Sequence, residues 1–302
     1  MTPVLEFLDV TRRWRAGILG SALETTALDR LSLALHAGEV AVVTGGAGAG
    51  KSTLLLVAAG QAPPSDGQVR WAGQADPGAA RPQLIGARPW EYNFLTVRQA
   101  LAFHADRLAL ADPSLPAPAR FVPLMAAVGL RGQSRTRLGQ LAALDRLRVV
   151  VAQALLSRPA LLCCEEPFAF CGPEERLAGA RLLRSVAGQG IAVLVATRDE
   201  RVVRELGLAD RWWAMERGRV QERTLDHPTT RTVLELAVPR PEEAMLRLLR
   251  RIPSLARRGR RLRVPLAGRS PEAILALCRD AGVRVRASRV AEEPLPRTAD
   301  GP

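Results

Sequence analysis

The sequence lacks the features of membrane-spanning, secreted and disulfide-bonded chains. Its 302 residues include no run of about 18 uncharged apolar residues, the minimum for a transmembrane helix. Residues 1–6 show no basic start followed by an apolar core, as a secretory signal would. The four cysteines, Cys163, Cys164, Cys171 and Cys278, have no metal-ligand spacing, so we interpret them as small buried hydrophobic residues. We therefore expect the chain to stay in the reducing cytosol.

Lysine and aromatic residues are also scarce, although the chain is strongly basic. Lys51 is the only lysine among 43 basic residues, and aromatics make up 4% of the chain. The formal charge of +13 would suit a nucleic acid or an anionic membrane. The arginines are spread out and lack the interleaved aromatics of a nucleic-acid platform, so we expect no nucleic-acid partner. We interpret the charge as a general preference for arginine, with a basic membrane-facing side as the alternative.

What the sequence does contain is a phosphate-binding loop around its single lysine. Residues 45–52 fit G-x-x-x-x-G-K-[ST], between residues 39–43, predicted as a buried strand, and residues 52–59, predicted as a helix. Backbone N–H groups in such a loop turn towards an anion, and the helix N-terminus adds partial positive charge. The residues predicted to bind nucleotide here are Gly45, Gly46, Ala47, Gly48, Ala49, Gly50, Lys51, Ser52 and Thr53. The alternative is a glycine-rich connection that binds nothing.

Two adjacent acids follow another apolar run. Residues 160–164 predict a buried strand, and Glu165 and Glu166 come directly after it, before Pro167. A strand of this kind can deliver carboxylates to a metal ion and to a water molecule beside a nucleotide. The alternative is a solvated turn at the end of a strand.

In order and spacing, these segments resemble the ATP-binding subunit of ABC transporters. The resemblance covers about residues 3–225 and includes the turn at residues 63–73, PPSDGQVRWAG. It implies that ATP and Mg²⁺ are bound, with Lys51 on the β- and γ-phosphates and with Ser52 and Glu165 at the metal. It implies that Glu166 polarises the attacking water and that Trp14 stacks on adenine, although Trp14 is equally explained as a packing aromatic.

The same resemblance implies partners and a location. It implies a homo- or heterodimer of ATP-binding subunits that engages separate transmembrane permease subunits at the inner face of the cell membrane. The subunit would itself be cytoplasmic and peripheral.

Five segments depart from the family pattern, each where the family residue acts in hydrolysis or dimer closure. They are Trp90 for the Q-loop glutamine, residues 141–145 (LAALD) for the signature LSGGQ, Glu165 for an aspartate, Gly172 for the D-loop aspartate and Arg198 for the switch histidine. Arg198 would either hold the γ-phosphate or pair with Glu166 and quench it, and the sequence leaves both roles open.

We therefore expect an exporter-type ATP-binding subunit with weak hydrolysis. The main alternative is a regulatory or structural subunit that binds ATP without hydrolysing it. A soluble ABC protein acting on DNA or the ribosome is disfavoured by the single P-loop and the lack of a long heptad segment. A small-molecule kinase is disfavoured by the order of the downstream segments.

The predicted fold class is α/β, a P-loop NTPase three-layer core with a mainly parallel sheet and a small C-terminal α+β domain. We predict an ATP-binding domain over residues 1–226, with a helical subdomain inserted at about 92–145. A small domain over 227–290 and a disordered tail over 291–302 follow. Its elements are predicted as strands at 230–238, 260–266 and 283–290 and helices at 241–250 and 270–281. This βαββ-like or βαβαβ unit is similar to the small C-terminal domain of ABC-2 type exporter ATPases.

Overall fold

A computed structural model gives the structure of the chain in two compact units, Met1–Leu225 and Asp226–Pro302. It describes residues 2–16, 23–86, 93–111, 121–225, 230–249, 256–258, 261–265 and 271–294. Trp90, the proline-rich interruption at residues 112–118 and residues 295–302 of the predicted tail lie outside the described residues.

The first unit contains nine strands and six helices among its described residues. The strands are β1 (Leu5–Ala16), β2 (Leu23–Leu35), β3 (Val40–Thr44), β4 (Asp66–Trp71), β5 (Gln83–Ile85), β6 (Leu161–Glu165), β7 (Ala192–Thr197), β8 (Arg211–Glu216) and β9 (Arg219–Arg223). The helices are α1 (Lys51–Ala58), α2 (Val97–Ala111), α3 (Phe121–Ala127), α4 (Ala143–Leu156), α5 (Pro173–Ala187) and α6 (Arg201–Arg204).

A six-stranded sheet lies at the centre of this unit, in the order β5-β6-β7-β3-β8-β9. Its first five strands run parallel, and β9 pairs antiparallel with β8. All five residues of β3 are buried, since Val40 and Val42 pack towards the core that includes α2 to α5, whereas Ala41 and Val43 pack towards α1 and the β1–β2 hairpin. Burial on both faces gives the three-layer arrangement that the sequence predicted.

The strands β1 and β2 are longer than the sequence predicted. The sequence predicts strands only over residues 5–10 and 29–35, whereas the antiparallel ladder continues to the pair Trp14 and Thr25 and beyond. The added residues of β1 are largely exposed, so they carry no alternating apolar signal, and the hydrogen bonds of the ladder hold them instead. With β4, the hairpin forms a three-stranded antiparallel sheet in the order β2-β1-β4.

The helical segment between the two halves of the sheet contains α2, α3 and a 3₁₀ turn at Leu138–Gln140. The buried side chains of α2 and α3, Val97, Leu101, Phe121 and Met125 among them, join the core that also includes α4. In the described part of the chain, no helix has both the length and the hydropathy needed to cross a bilayer.

The second unit is a four-stranded antiparallel sheet with two helices. In chain order its elements are β10 (Thr230–Ala237), α7 (Pro241–Leu249), β11 (Ala256–Arg258), β12 (Arg261–Pro265), α8 (Pro271–Asp280) and β13 (Ala287–Pro294). The sheet order is β11-β12-β10-β13. The chain path is therefore βαββαβ, with one more short strand, β11, than the sequence predicted.

The predicted end of this unit was wrong. The last strand was placed at 283–290, with disorder from 291, whereas β13 pairs with β10 from Ala287 to Pro294. The acidic pair Glu292 and Glu293 made this segment look like a solvated tail, but backbone hydrogen bonds to an adjacent strand need no apolar side chains.

One buried carboxylate links three of the four strands of this sheet. Glu235 of β10 is 3% exposed and lies opposite Arg263 of β12 and Arg289 of β13 in the strand register. Its oxygens accept from Arg289 Nε at 2.6 Å, Arg263 Nη2 at 2.6 Å and Arg261 Nη1 at 3.1 Å. The hydrogen bond from Arg289, followed by that from Arg263, lowers the pKa of the Glu235 carboxyl to about 2.

Replacing this carboxylate should loosen the second unit selectively. Because the pKa of Glu235 is lower in the folded chain, its ionised form stabilises the unit above the ordinary pKa of 4.5, and this stabilisation is lost as the pH falls towards about 2. In Glu235→Gln, amide exchange of β10 and β12 at neutral pH should accelerate on the order of tenfold, since the arginines lose their counter-charge.

Hydrogen exchange read by mass spectrometry resolves the two units. All five tryptophans lie within residues 1–225, so tryptophan fluorescence provides an internal control that Glu235→Gln should leave unchanged. Identical exchange of β10 in the variant and the wild type at neutral pH would contradict the role of Glu235.

Candidate functional site

The loop between β3 and α1 wraps around the Lys51 ammonium. Lys51 is 8% exposed, and its Nζ donates to the carbonyl oxygens of Gly45 at 2.7 Å and Gly46 at 2.8 Å. Burial lowers the pKa of the Lys51 ammonium, and the nearby carboxylate of Glu166 opposes that shift. The loop is thus closed around a cation at the first turn of a helix.

Two glycines of the loop are required by close backbone approach. A Cβ on Gly45 would lie 2.3 Å from the carbonyl oxygen of Met215, and one on Gly50, where φ is +109°, would lie 2.3 Å from that of Ala27. At Gly46 a Cβ would meet no atom within 4 Å. The loop therefore packs its backbone directly against β8 and β2.

The two acids predicted beside the nucleotide lie at the carboxyl end of β6, facing the loop. The Ser52 hydroxyl donates to Oε1 of Glu165, which brings the two predicted metal ligands together. Glu166 adopts a left-handed backbone, with φ +45°, that is uncommon outside glycine. Its N–H donates to the carbonyl of Ala196 at 2.8 Å, which anchors this turn to β7.

Both carboxylate oxygens of Glu166 already have donors. Oε2 accepts from the Thr197 hydroxyl at 2.8 Å, and Oε1 accepts from the backbone N–H of Arg198 at 2.9 Å. The Arg198 Nε lies 3.7 Å from the same Oε1, with a side chain that is 70% exposed. An ion pair this long and this exposed contributes little, so the guanidinium is only loosely held.

These groups line one cleft of about 270 Å³. The lining includes the loop residues Ala47 to Thr53 together with Glu165, Glu166, Ala196 and Arg198. It also includes Thr25, Thr26 and Ala27 of β2, which the sequence did not identify. Their small side chains give no motif, and only the extended register of the hairpin brings them to the loop.

Trp14 contacts the same helix from the hairpin. Its Nε1 donates to the Thr53 hydroxyl at 3.2 Å, and the Arg12 guanidinium lies 4.1 Å from its ring centroid. The indole is 39% exposed. A cation over the ring stabilises its orientation, so Trp14 presents its remaining surface beside the loop.

The segment at the place of the signature begins α4. Ala142 caps this helix without a side-chain hydrogen bond, and the N–H of Leu144 donates to Glu175 Oε1 at 3.3 Å. Glu175 Oε2 accepts from the N–H of Gly172 at 3.0 Å. This carboxylate of α5, which the sequence did not single out, thus links the start of α4 to the predicted D-loop.

A metal ion at this site would depend on few protein ligands. Among the residues that the structure describes, no group of three or more His, Cys, Asp and Glu side chains is arranged to hold a metal. Ser52 and Glu165 nevertheless place a hydroxyl and a carboxylate side by side, and hard oxygen donors of this type fit Mg²⁺, which keeps several waters and phosphate oxygens as ligands.

The family model for ABC transporters matches residues 28–169 of this chain. The methionine import ATP-binding protein MetN of Xylella fastidiosa is 30% identical to it over 247 residues, which cover 76% of this chain and 71% of that protein. The chain belongs to the ABC transporter family.

Other ABC relatives are longer than the part they share with this chain. The macrolide export ATP-binding/permease protein MacB of Burkholderia lata is 28% identical over 212 residues, 67% of this chain and 30% of that protein. MetN of Rhizobium etli is 31% identical over 231 residues, 72% of this chain and 60% of that protein. The chain thus spans less than two thirds of the length of these two relatives.

Solved ABC cassettes share the fold. One, an ATP-binding cassette of an ABC transporter in its ADP conformation, superposes with a TM-score of 0.64 at 18% identity, covering 75% of this chain and 93% of that one. Another, cbiO1 of Clostridium perfringens, part of the transporter complex cbiONQ, gives a TM-score of 0.62 at 21% identity and covers 84% and 97%.

The close backbone contacts of the loop predict a sharp contrast between neighbouring glycines. Gly45→Ala should destabilise the first unit by about 1–3 kcal/mol, because its methyl group would collide with a backbone carbonyl that cannot swing away. Gly46→Ala should change the unfolding midpoint little. Thermal unfolding of both variants without nucleotide, followed by tryptophan fluorescence, measures the difference, and equal midpoints would contradict it.

Proposed function

We propose that this chain is the ATP-binding subunit of an exporter-type ABC transporter. It binds Mg-ATP at the loop and couples closure of two ATP-binding subunits to separate membrane permease subunits, with weak hydrolysis. The observation that carries the proposal is the convergence of Lys51, Ser52, Glu165 and Glu166 on one cleft.

Each residue has a distinct task in this proposal. The Lys51 ammonium exchanges the carbonyls of Gly45 and Gly46 for phosphate oxygens, and the loop N–H groups and the start of α1 stabilise the remaining charge. Bound Mg²⁺ would neutralise charge on the phosphates, held by Ser52 and by Glu165 through water. Glu166 accepts the proton of the water whose oxygen attacks the γ-phosphorus as the bond to ADP breaks.

Two features of the site support weak hydrolysis. Both oxygens of Glu166 accept hydrogen bonds from β7 and the residue after it, so about half of the lone pairs that could take the proton of a water molecule are occupied. The first turn of α4 is occupied as well, since Glu175 places its own carboxylate at the N–H of Leu144. A phosphate that approached the N-terminus of α4 would compete with that carboxylate for the N–H of Leu144. The same features favour the alternative, a subunit that binds ATP and acts without hydrolysis.

Direction, partners and location are part of the proposal. Relatives include proteins named for macrolide export and for methionine import, and a solved neighbour is a dimeric bacterial ABC transporter cassette. We propose the export direction and a homo- or heterodimer of this chain at the inner face of the cell membrane, attached through the permease subunits. Transport in inside-out vesicles that contain the assembled complex distinguishes export from import.

Single-turnover hydrolysis of Mg-ATP tests the roles of Lys51 and Glu166. Lys51→Ala should lose ATP binding, whereas Glu166→Gln should bind ATP and slow hydrolysis by about 10²–10⁴-fold, the usual contribution of a general base. Glu222→Gln, which alters an acid paired with Arg211 outside the cleft, is the matched control and should behave as wild type.

Three results would change the proposal. Failure of the wild type to bind ATP rejects the function as a whole. Fast multiple turnover rejects weak hydrolysis. If the wild type binds ATP and leaves it intact, and only Lys51→Ala fails to bind it, the non-hydrolysing alternative is selected.

A separate variant decides between the two roles of Arg198. Because its guanidinium is 70% exposed and only loosely paired, we expect it to act as a cation towards the γ-phosphate. Arg198→Ala should therefore lower single-turnover hydrolysis by about 10²-fold, and Arg198→Lys should retain part of it. Arg201→Ala, at a nearby exposed arginine paired with Asp199, is the control. Faster hydrolysis in Arg198→Ala would show instead that Arg198 quenches Glu166.

A further inference from the structure

The second unit carries much of the positive charge of the chain. Between residues 226 and 302 there are sixteen arginines and nine acidic residues, so about half of the formal charge of +13 falls in about a quarter of the sequence. The same stretch contains no Phe, Tyr or Trp. This concentration of charge is not explained by the nucleotide cleft, whose residues all lie in the first unit.

One face of the sheet in this unit displays arginines to solvent. Leu234, Leu236, Leu262 and Val264 of the sheet pack with α7 and α8 in the hydrophobic core. Side chains alternate along a strand, so Glu235, Arg261 and Arg263 lie on the opposite face. On that face the side chains of Arg261 and Arg289 are 49% and 65% exposed.

Glu235 sets the spacing of these two arginines. Arg261 Nη1 and Arg289 Nε both donate to the same oxygen, Oε2, at 3.1 and 2.6 Å. The two nitrogens therefore lie within about 6 Å of each other, so the guanidiniums that carry them are close enough for the oxygens of one tetrahedral phosphate to accept from both. Each guanidinium donates one N–H to Glu235, and the exposed parts of the two side chains present further N–H groups to an outside acceptor.

Only small side chains lie on the sheet surface beside the two arginines. Ala237 of β10 lies opposite both Arg261 and Ala287 in the register, so small side chains occupy the row beside Glu235. The carboxylate neutralises one of the three guanidiniums, and the cluster keeps a net charge of +2. The pair is thus a fixed, exposed cationic fork on an open surface.

Phosphate on an extended surface is the chemistry that fits this fork. Arginine binds phosphate oxygens through paired N–H groups, and an anionic leaflet attracts a basic surface by about 1 kcal/mol per residue. A nucleic acid offers the same phosphates, but stacking platforms for its bases need aromatic side chains, which this unit lacks.

We propose that the open face of the second unit's sheet binds the phosphate headgroups of an anionic phospholipid surface through Arg261 and Arg289, with Glu235 as the positioning residue. This contact is separate from ATP hydrolysis and does not require the permease subunits.

Vesicle flotation of the full chain tests the proposal. The wild type should float with phosphatidylcholine vesicles that contain phosphatidylglycerol and should not float with phosphatidylcholine alone. The double variant Arg261→Gln/Arg289→Gln should bind the anionic vesicles on the order of tenfold more weakly. The double variant is expected to fold, because Arg263 Nη2 still lies 2.6 Å from Glu235 Oε1 and neutralises the carboxylate. The single variant Arg289→Gln is a milder change at the more exposed of the two positions.

The matched control is Arg131→Gln/Arg135→Gln, which removes the same charge from two exposed positions of the first unit. It should float as the wild type does. If both double variants lose binding to the anionic vesicles equally, the binding depends only on general charge. If the wild type does not float, the surface does not bind the vesicles. Either result overturns the proposal.

Two further probes identify the source of the phosphate. Binding of duplex DNA that is lost only in Arg261→Gln/Arg289→Gln, without flotation, would assign the face to nucleic acid and overturn the proposal. Inorganic phosphate that shifts the NMR signals of Arg261 and Arg289 in a chain that does not float would assign it to a free anion, with the same consequence. Because the vesicles contain no permease and the probes involve no ATP hydrolysis, failure here is distinguishable from failure of the proposed function.

Discussion

The parallel register of three adjacent strands is the constraint on which the site depends. Thr44 of β3 pairs with Thr197 of β7, and Glu165 of β6 pairs with Ala196 of β7, so the three strands end at one level. Whatever follows each strand must therefore meet at the same edge of the sheet. The loop with Lys51 follows β3, Glu166 follows β6, and Arg198 follows β7. No side-chain contact is needed to bring these residues together, because the backbone ladder has already done so.

The loop is held in shape by contacts within the chain. Its backbone packs against the carbonyls of Met215 and Ala27, and the N–H of Gly218 donates to the carbonyl of Ala49 at 2.9 Å. The Lys51 ammonium satisfies two inward carbonyls that would otherwise lack partners. In the proposed function, a loop held in this way would exchange these internal bonds for phosphate oxygens at a lower cost in conformational entropy. The antiparallel hairpin, which holds Ala27, is thus part of the cleft and not only a cover for the core.

How much the sequence could predict follows from burial. The strands β3 and β6 are short, largely buried runs that are apolar except for their last residues, Thr44 and Glu165, and the sequence predicted them to within a residue or two. The outer part of β1 is largely exposed, β11 contains two arginines and the end of β13 two glutamates, and backbone ladders that the sequence does not display hold these segments in place. The site divides in the same way. Its motif residues were predicted from local spacing, whereas Thr25 reaches the cleft only through the register of the hairpin. Glu175 likewise links the start of α4 to Gly172 only through the placement of α5, which is a property of the tertiary structure.

The structure also gives a reason for the near absence of lysine. Two arginines of the first unit make bidentate contacts between distant segments. Arg184 donates to both carboxylate oxygens of Asp210. Arg211 donates to both carboxylate oxygens of Glu222 and to the carbonyl oxygen of Ala34 at 2.7 Å. An ammonium cannot replace these planar bidentate contacts. At residue 51 the geometry is different, because two carbonyl oxygens converge on a single nitrogen at 2.7 and 2.8 Å. A compact ammonium with three donors satisfies that site and can turn to phosphate without moving the loop. The single lysine therefore lies where one compact donor nitrogen fits the two carbonyl oxygens better than a planar guanidinium.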